Sequence, residues 1–365
     1  MLNKQQKILV AMSGGVDSAV AAALLKQQGF DVTGVFMINW HEKNELIPIG
    51  TCAWEQDQAD VRRVAEILGI KIYTWDFSVA YQKYIFSYFL QAYEQGLTPN
   101  PDTLCNKYIK FGLFLEQAKQ LGFDKIATGH YAKIIKKNDY KLITAKDKNK
   151  DQTYFLYELG QKELAQVMFP LADLKKEKVR RLARNLNLPV CYKKDSYGIC
   201  YIGEKKMKDF LAPFIKENPG EIVDENNHLL GQHTGLFNYT LGQRQGIGVG
   251  GGRGPFFVLK KDQLNNRLIV TNNTHHPDFY TCHIKLKQVN WIIGFQPTLP
   301  LRCWGRFRHL QSLFPLTIEE NKNANLVVKF KQPQKAVASG QVLVFYQPLN
   351  LWRRNYQVMG GGIIA

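Results

Sequence analysis

The side chains of this chain best suited to covalent chemistry fall in three stretches. Ala11-Met12-Ser13-Gly14-Gly15-Val16-Asp17-Ser18 follows the apolar run Lys7-Ile8-Leu9-Val10 and opens an Ala-rich stretch, 19–25, that Gly29 ends. A strand, a glycine loop and a helix start in that order form an anion site. Gly14 and Gly15 let the backbone turn tightly and present its N–H groups to a phosphate, the helix N-terminus adds roughly half a positive charge, and Ser13 and Ser18 supply hydroxyls. The lysine of G-x-x-x-x-G-K-[ST] is missing and an aspartate sits inside the loop, so this is not that P-loop. The plain alternative is a serine-capped helix behind a glycine turn. The second stretch, Asn100-Pro101-Asp102-Thr103-Leu104-Cys105-Asn106-Lys107-Tyr108-Ile109-Lys110, is a proline turn leading into a helix. A cysteine near a helix N-terminus with Lys107 and Lys110 close by is where a thiolate is favoured, yet Cys105 reads equally well as a packed core residue. Asp102 is either a proton carrier or a helix cap. The third, Asp195-Ser196-Tyr197-Gly198-Ile199-Cys200-Tyr201-Ile202-Gly203, reads on its own as a buried strand, and Cys200 draws interest from Cys105.

The elements around these residues set their places. Strand-like runs at 7–12, 31–38, 71–75 and 125–128 alternate with helix-like runs at 17–28, 56–68, 78–94 and 106–121. That rhythm predicts a parallel, doubly wound sheet with its ligands at the carboxyl ends of the strands, so the glycine loop and the strand ends face one crevice. A hairpin follows at 131–135 and 140–144, then two charged helices within 162–187 split near Phe169-Pro170, and a short helix at 205–215. From Glu221 onward the texture changes to short β-like runs at 221–224, 256–260, 267–271, 284–289, 301–307, 326–330 and 341–346, which predict small sheets and a terminal β-barrel.

The 365 residues call for two or three domains, and 45% hydrophobic residues suffice for a real core. No apolar stretch is long enough to span a membrane, and the run at 8–12 is too short for a signal sequence. A formal charge of +17, spread along the chain, favours a polyanionic partner such as nucleic acid. The six cysteines are widely scattered with no C-x-x-C pair, which argues against both a disulfide framework and a zinc finger. Gly246 to Gly252 leads into a strand instead of a helix and reads as a turn or an RNA-facing loop, and His275-His276 as solvated. Arg302, Arg306 and Arg308 alternate along a strand, so they make either a phosphate rail or an ordinary exposed face.

The loop Ser13 to Ser18 resembles the pyrophosphate loop of enzymes that split ATP between its α and β phosphates. Together with Asn100 to Lys107, Ala127-Thr128-Gly129-His130-Tyr131-Ala132, Lys150-Asp151-Gln152-Thr153-Tyr154-Phe155-Leu156, Asp195 to Gly203, Tyr239-Thr240-Leu241-Gly242-Gln243-Arg244 and the terminal Met359-Gly360-Gly361-Gly362-Ile363, it gives a chain that resembles the bacterial tRNA-specific 2-thiouridylase family over nearly its whole length. The resemblance implies an α/β fold: an adenine-nucleotide-hydrolase-like catalytic domain over 1–208, a small central domain over 209–276 and a C-terminal β-barrel that binds tRNA over 277–365. It implies ATP-dependent 2-thiolation of the wobble uridine. Ala11, Met12, Ser13, Gly14, Gly15, Val16, Asp17, Ser18, Met37 and Gly129 would hold ATP with its Mg2+. Cys200 would carry a persulfide and Cys105 would be its nucleophilic partner. Asn100, Pro101 and Asp102 would lie against the target base, and Lys150, Asp151, Gln152, Arg306 and Phe307 would touch tRNA. Two positions depart from the family pattern: Tyr197 stands where Thr is usual, and Phe307 where Tyr is usual.

The chemistry suits such a set. The C2 oxygen of uracil leaves only after adenylation makes it part of AMP, and a persulfide then supplies the sulfur while a second cysteine closes a disulfide behind it. The implied partners are tRNA and a sulfur donor, a cysteine desulfurase or a relay protein, with no membrane partner, for a cytoplasmic monomer. An iron–sulfur cluster on Cys105, Cys200 and a third ligand such as Asp102 stays open, although the close cysteine spacing usual for one is absent. The rival functions are another pyrophosphate-loop ligase or amidotransferase, which needs no cysteine pair, and a non-catalytic RNA-binding protein.

Overall fold

The computed structural model describes residues 5–41, 53–195, 210–249, 255–320, 326–349 and 355–365. The first part runs β1 (Lys7–Ala11), α1 (Val16–Gln27), β2 (Asp31–Ile38), α2 (Ala53–Leu68), β3 (Lys71–Asp76), α3 (Ser78–Tyr81), α4 (Ser87–Glu94), α5 (Pro101–Leu104), α6 (Phe114–Gln120) and β4 (Lys125–Ala127). Widened π-helical turns, Gln82–Phe86 and Cys105–Leu113, join α3 to α4 and α5 to α6, so each pair continues as one rod. Then come β5 (Ala132–Lys136), β6 (Tyr140–Thr144), α7 (Gln161–Leu164), β7 (Val167–Met168) and α8 (Lys176–Asn185).

Strands β3-β2-β1-β4-β7 form the parallel sheet in that order. Its centre, β1, is covered on both faces: Ile8 and Val10 pack with α1, α2 and α8, while Leu9 and Ala11 join the core that holds Met37, Cys105, Ile109 and Tyr154. A continuous apolar run is what a strand buried on two sides requires. The 162–187 segment differs from the two helices expected of it. Val167 and Met168 pair in parallel with Ile126 and Ala127, completing the sheet edge and leaving α7 only four residues long.

The central module is a four-stranded sheet, β10 (Phe257–Asp262), β11 (Arg267–Thr271), β8 (Gly220–Asp224) and β9 (Leu229–His233) in that order. The last part, β12 (Tyr280–Trp291), β13 (Leu301–Arg306), β14 (Phe314–Glu320), β15 (Leu326–Lys335), β16 (Val342–Pro348) and β17 (Tyr356–Ile364), closes into a barrel by pairing β12 with β17. The expected barrel is therefore present. Unforeseen is that the hairpin β5–β6 joins it, with Ile143 and Leu142 paired to Gln357 and Val358 of β17. The glycine run in β17 serves this junction, since a Cβ on Gly361 would sit 2.7 Å from the Tyr157 ring.

Candidate active site

The glycine loop connects the carboxyl end of β1 to the N-terminus of α1. Gly14 has φ +75°, and a Cβ there would lie 2.7 Å from the Asp57 carbonyl oxygen, so both the turn and the approach of α2 require glycine. Gly15 caps α1 without a side-chain bond. Ser18 ties the loop together: its hydroxyl accepts from the Ser13 N–H at 3.1 Å, donates to the Gly15 carbonyl at 3.1 Å, and lies 3.3 Å from the Ser13 hydroxyl. Gly129, just past β4, lies so close to α1 that a Cβ would stand 2.7 Å from the Ser18 nitrogen. The structure thus brings Gly129 to the loop predicted from the sequence, and Ala11, Met12 and Val16 are buried beneath it.

An ionic network surrounds the loop that sequence reasoning missed. Asp17 accepts from the Tyr131 hydroxyl at 2.8 Å and from Lys176 Nζ at 2.7 Å. Lys176, at the start of α8, also reaches Asp195 at 2.7 Å, and Arg180, one turn on, reaches it at 2.8 Å. Lys150 completes the grip on Asp195 at 2.5 Å. Burial alone would raise the Asp195 carboxyl, but the Lys150 and Lys176 ammonium groups outweigh it and hold it below the ordinary carboxylate range. A second cation, Lys193, bridges Asp57 at 2.6 Å and Asp60 at 2.5 Å behind Gly14. The only signal for these groups was a high local density of Lys, Arg and Asp, which does not say who pairs with whom.

The segment carrying Asp102 and Cys105 is built by its own cap. The Asn100 side chain accepts from the Asp102 N–H at 3.1 Å and the Thr103 N–H at 3.4 Å, Pro101 occupies the first turn of α5, and Thr103 bonds back to the Asn100 carbonyl at 2.8 Å. The cap is therefore Asn100, and Asp102 stands half-buried in the first turn of α5. Cys105 is 1% exposed. Burial pushes its thiol up to about 11, with Asp102 adding to the rise and Lys110 opposing it, so the thiolate favoured by the neighbouring lysines does not form in this conformation. His130, packed between Phe111 and Phe169 with its Nδ1 2.7 Å from the Thr128 hydroxyl, is held well below its ordinary pKa by burial and by Lys110.

Residues 150–152 and the barrel residues meet at the seam between the two modules. Asp151 is 2% exposed and Arg306 is 6% exposed, and they form an ion pair at 2.5 Å. Asp151 also accepts from the Ala145 N–H at 2.9 Å and the Thr153 hydroxyl at 2.8 Å. The Arg306 guanidinium donates to the Tyr346 hydroxyl at 3.0 Å and stacks over that ring at 4.8 Å. Tyr154 adds a second tie, its hydroxyl standing 2.9 Å from the Phe307 carbonyl oxygen and 3.1 Å from that of Val342. Phe307, 1% exposed, fills the barrel core. Asp151, Arg306 and Phe307 join two modules, and the buried carboxylate and buried guanidinium neutralise each other. The three arginines do not share one face: Arg302 is exposed on β13, Arg306 is buried and paired with Asp151, and Arg308 lies beyond β13 and donates to the Ala336 carbonyl at 2.8 Å. Gln152 is half-buried and accepts from the Tyr131 N–H at 3.0 Å.

Cys200, Tyr197 and Cys52 lie outside the described residues. Of the other cysteines, Cys191 and Cys303 are buried and Cys282 is exposed. Among the described residues, no group of three or more His, Cys, Asp or Glu side chains is arranged to hold a metal ion, and no helix is long and apolar enough to cross a membrane.

An α/β domain with a glycine loop at the end of its central strand, followed by a small sheet and a closed barrel, is the class of protein these features define. Family models match all three parts in turn: the tRNA methyl transferase HUP domain over residues 6–204, the tRNA methyl transferase PRC-barrel domain over 208–272, and the aminomethyltransferase beta-barrel domain over 281–364. The tRNA-specific 2-thiouridylase MnmA of Shouchella clausii is 45% identical over 359 residues, 98% of this chain and 96% of that protein. The protein of the same name from Francisella philomiragia is 45% identical over 367 residues, 99% of each chain. Among solved structures, the NMN synthetase of Francisella tularensis aligns over 57% of this chain and 72% of that one, with 20% identity and a TM-score of 0.35. The chain belongs to the tRNA-specific 2-thiouridylase family.

Proposed function

We propose that this protein uses ATP to thiolate the wobble uridine of tRNA at C2. Two features carry the reading. Ala11, at the head of the glycine loop, and Cys105, just after the Asn100-capped turn, pack in one buried core, and the chain is 45% identical over 98% of its length to a protein named tRNA-specific 2-thiouridylase. The backbone N–H groups of Gly14, Gly15 and Val16 have no partner within the protein among the described residues, which suits a cradle for the phosphates of Mg2+-bound ATP. In this reading Asp102 takes the uracil N3 proton. Attack of the C2 oxygen on the α-phosphate releases pyrophosphate and makes an adenylate. The terminal sulfur of a Cys200 persulfide then attacks C2 and expels AMP. Cys105, uncovered and deprotonated once tRNA is seated, attacks Cys200 Sγ, frees the thiolated base and leaves a Cys105–Cys200 disulfide for a cellular thiol to reduce.

In this reading domain 1–208 is catalytic, 209–276 central and 277–365 the tRNA-binding barrel. The protein is a cytoplasmic monomer that receives sulfur from a cysteine desulfurase or a relay protein. The test is AMP release and 2-thiouridine formation on an unmodified tRNA transcript with a desulfurase and cysteine. AMP release without any need for Cys105 or Cys200 indicates the ligase alternative, and tRNA binding without AMP release the non-catalytic one. An absorption spectrum of anaerobically purified protein decides the iron–sulfur alternative, since a cluster absorbs in the visible and a cysteine pair does not.

A further inference from the structure

One ammonium of the central module reaches into the catalytic domain. Lys261, on β10, donates to the Gly96 carbonyl at 2.5 Å and to the Tyr239 carbonyl at 3.0 Å. Tyr239 opens the motif Tyr239-Thr240-Leu241-Gly242-Gln243-Arg244, to which the sulfur chemistry gives no role. That motif lies along β10: the Gly242 N–H donates to the Val258 carbonyl at 2.8 Å, and the Val258 N–H to the Gln243 carbonyl at 2.9 Å. Among the described residues no carboxylate offsets the charge of Lys261, and desolvation alone lowers it to about 8. A cation shielded from water without a counter-ion costs stability, and what it gains here is a pair of charge-assisted bonds that join carbonyls of two modules.

The peptide that Lys261 holds is gripped from two sides. Gly96 has φ +71°, and a Cβ on it would run into the side chain of Gln263, just past β10. From the barrel, the Ser339 carbonyl accepts from the Thr98 N–H at 2.9 Å, and a Cβ on Gly340 would stand 2.8 Å from that same nitrogen. All three modules therefore meet at residues 96–98. Only the buried Pro99 separates Thr98 from Asn100, and its ring restricts its own φ and the backbone of Thr98 before it. A shift of 96–98 is thus passed on to the Asn100 cap, and from there along α5 into the turn that carries Cys105.

We propose that Lys261 is a positioning residue for thiolation: by bridging Gly96 and Tyr239 it fixes residues 96–98 against the central sheet, and so sets the Asn100, Asp102 and Cys105 segment where the target uridine meets it. This rests on the thiolation reading above. Lys261 acts through the peptide 96–98 and not on the base.

The test compares Lys261→Met, which keeps the length of the side chain and removes the ammonium, with Lys261→Arg, which can still donate to both carbonyls. Thiolation of an unmodified tRNA transcript gives kcat and KM, gel shift gives tRNA affinity, and urea unfolding reports the fold. Lys261→Met should lose about ten- to a hundredfold in kcat, as a misplacement on the order of 1 Å does, with KM and tRNA affinity within about threefold of wild type. Lys261→Arg should recover kcat to within about threefold, a rescue that simple filling of space by methionine would not need. If Lys261→Met does not unfold cooperatively, Lys261→Gln, which can still serve one carbonyl, carries the comparison with the same criteria. Wild-type kcat in the neutral variant overturns the proposal, as does a loss confined to tRNA affinity, and either result leaves the thiolation reading intact. Absence of thiolation by the wild-type protein overturns both.

Discussion

The pair Asp151–Arg306 holds two modules together in this structure, and a substitution there separates that role from an RNA contact. As an RNA contact, Arg306 would cost binding when removed and leave stability alone. As drawn here, Arg306→Ala strands a carboxylate that is 2% exposed, and losing one partner of a buried ion pair costs about 3–5 kcal/mol. Asp151 keeps its bonds from Ala145 and Thr153, which places the expected loss near the lower end, about 3 kcal/mol, with the Tyr346 hydroxyl losing its donor as well. The double variant Asp151→Asn with Arg306→Met removes both charges while the amide still serves Ala145 and Thr153. It should recover most of the loss, giving a coupling of about 2 kcal/mol in the double-mutant cycle. Urea unfolding of Arg306→Ala, of the single variants Asp151→Asn and Arg306→Met that close the cycle, and of the double variant, with tRNA affinity beside it, is the measurement. Wild-type stability in Arg306→Ala together with a shallower salt dependence of tRNA binding would refute the argument and return Arg306 to the RNA.

The remaining predictions concern the site and its pH response. Asp17→Asn or Ser13→Ala should abolish thiolation while tRNA affinity in gel shift stays near wild type; thiolation at the wild-type rate in both removes the loop from catalysis. Cys200→Ser should bind ATP and tRNA yet take no labelled sulfur from a desulfurase, whereas Cys105→Ser should accept label on Cys200 and stall; mass spectrometry reads both, and label on Cys191 or turnover in Cys105→Ser contradicts the roles. With its thiol pushed up to about 11, Cys105 should alkylate with iodoacetamide far more slowly than the exposed Cys282 at pH 7.5, and faster as the pH rises toward 11; equal rates at pH 7.5 would count against the burial. His130 is held neutral, with a folded pKa well below the ordinary ~6.5, so the unfolded chain binds the extra proton and stability falls as pH drops below ~6.5, by up to about 1.4 kcal/mol per unit. His130→Asn should flatten the urea midpoint between pH 6.5 and 5, and an unchanged slope would mean that His130 protonates freely in the fold.

The centre of the parallel sheet was legible because β1 and β2 are buried on two faces and carry apolar runs, 8–12 and 35–38, and the loop because glycine and serine between a strand and a helix have few other uses. What escaped were elements whose stability is not local. Val167 and Met168 are too short to signal a strand and pair only because Ile126 and Ala127 offer an edge. Strand β9, with two leucines in five residues, is half-exposed and shows little alternation. The hairpin 131–144 was visible as a hairpin, but nothing in it announces that its partner is β17, more than two hundred residues on.

The same asymmetry explains the polar residues. A motif such as Lys150-Asp151-Gln152 names side chains that must be kept, without saying whether the constraint comes from a ligand or from the protein itself. Here the three adjacent residues go three ways: Lys150 to Asp195 beside the nucleotide loop, Asp151 to Arg306 of the barrel, and Gln152 to the backbone of Tyr131, whose hydroxyl holds Asp17. One short turn thus links the loop, the last residue described before the Cys200 stretch, and the barrel. Nearby Tyr154 reaches the backbone carbonyls of Phe307 and Val342 in the barrel. A defect in any of these contacts can weaken tRNA binding without touching RNA, and for that reason stability and salt slope, measured together, are needed to tell a residue that holds the barrel from one that holds the substrate.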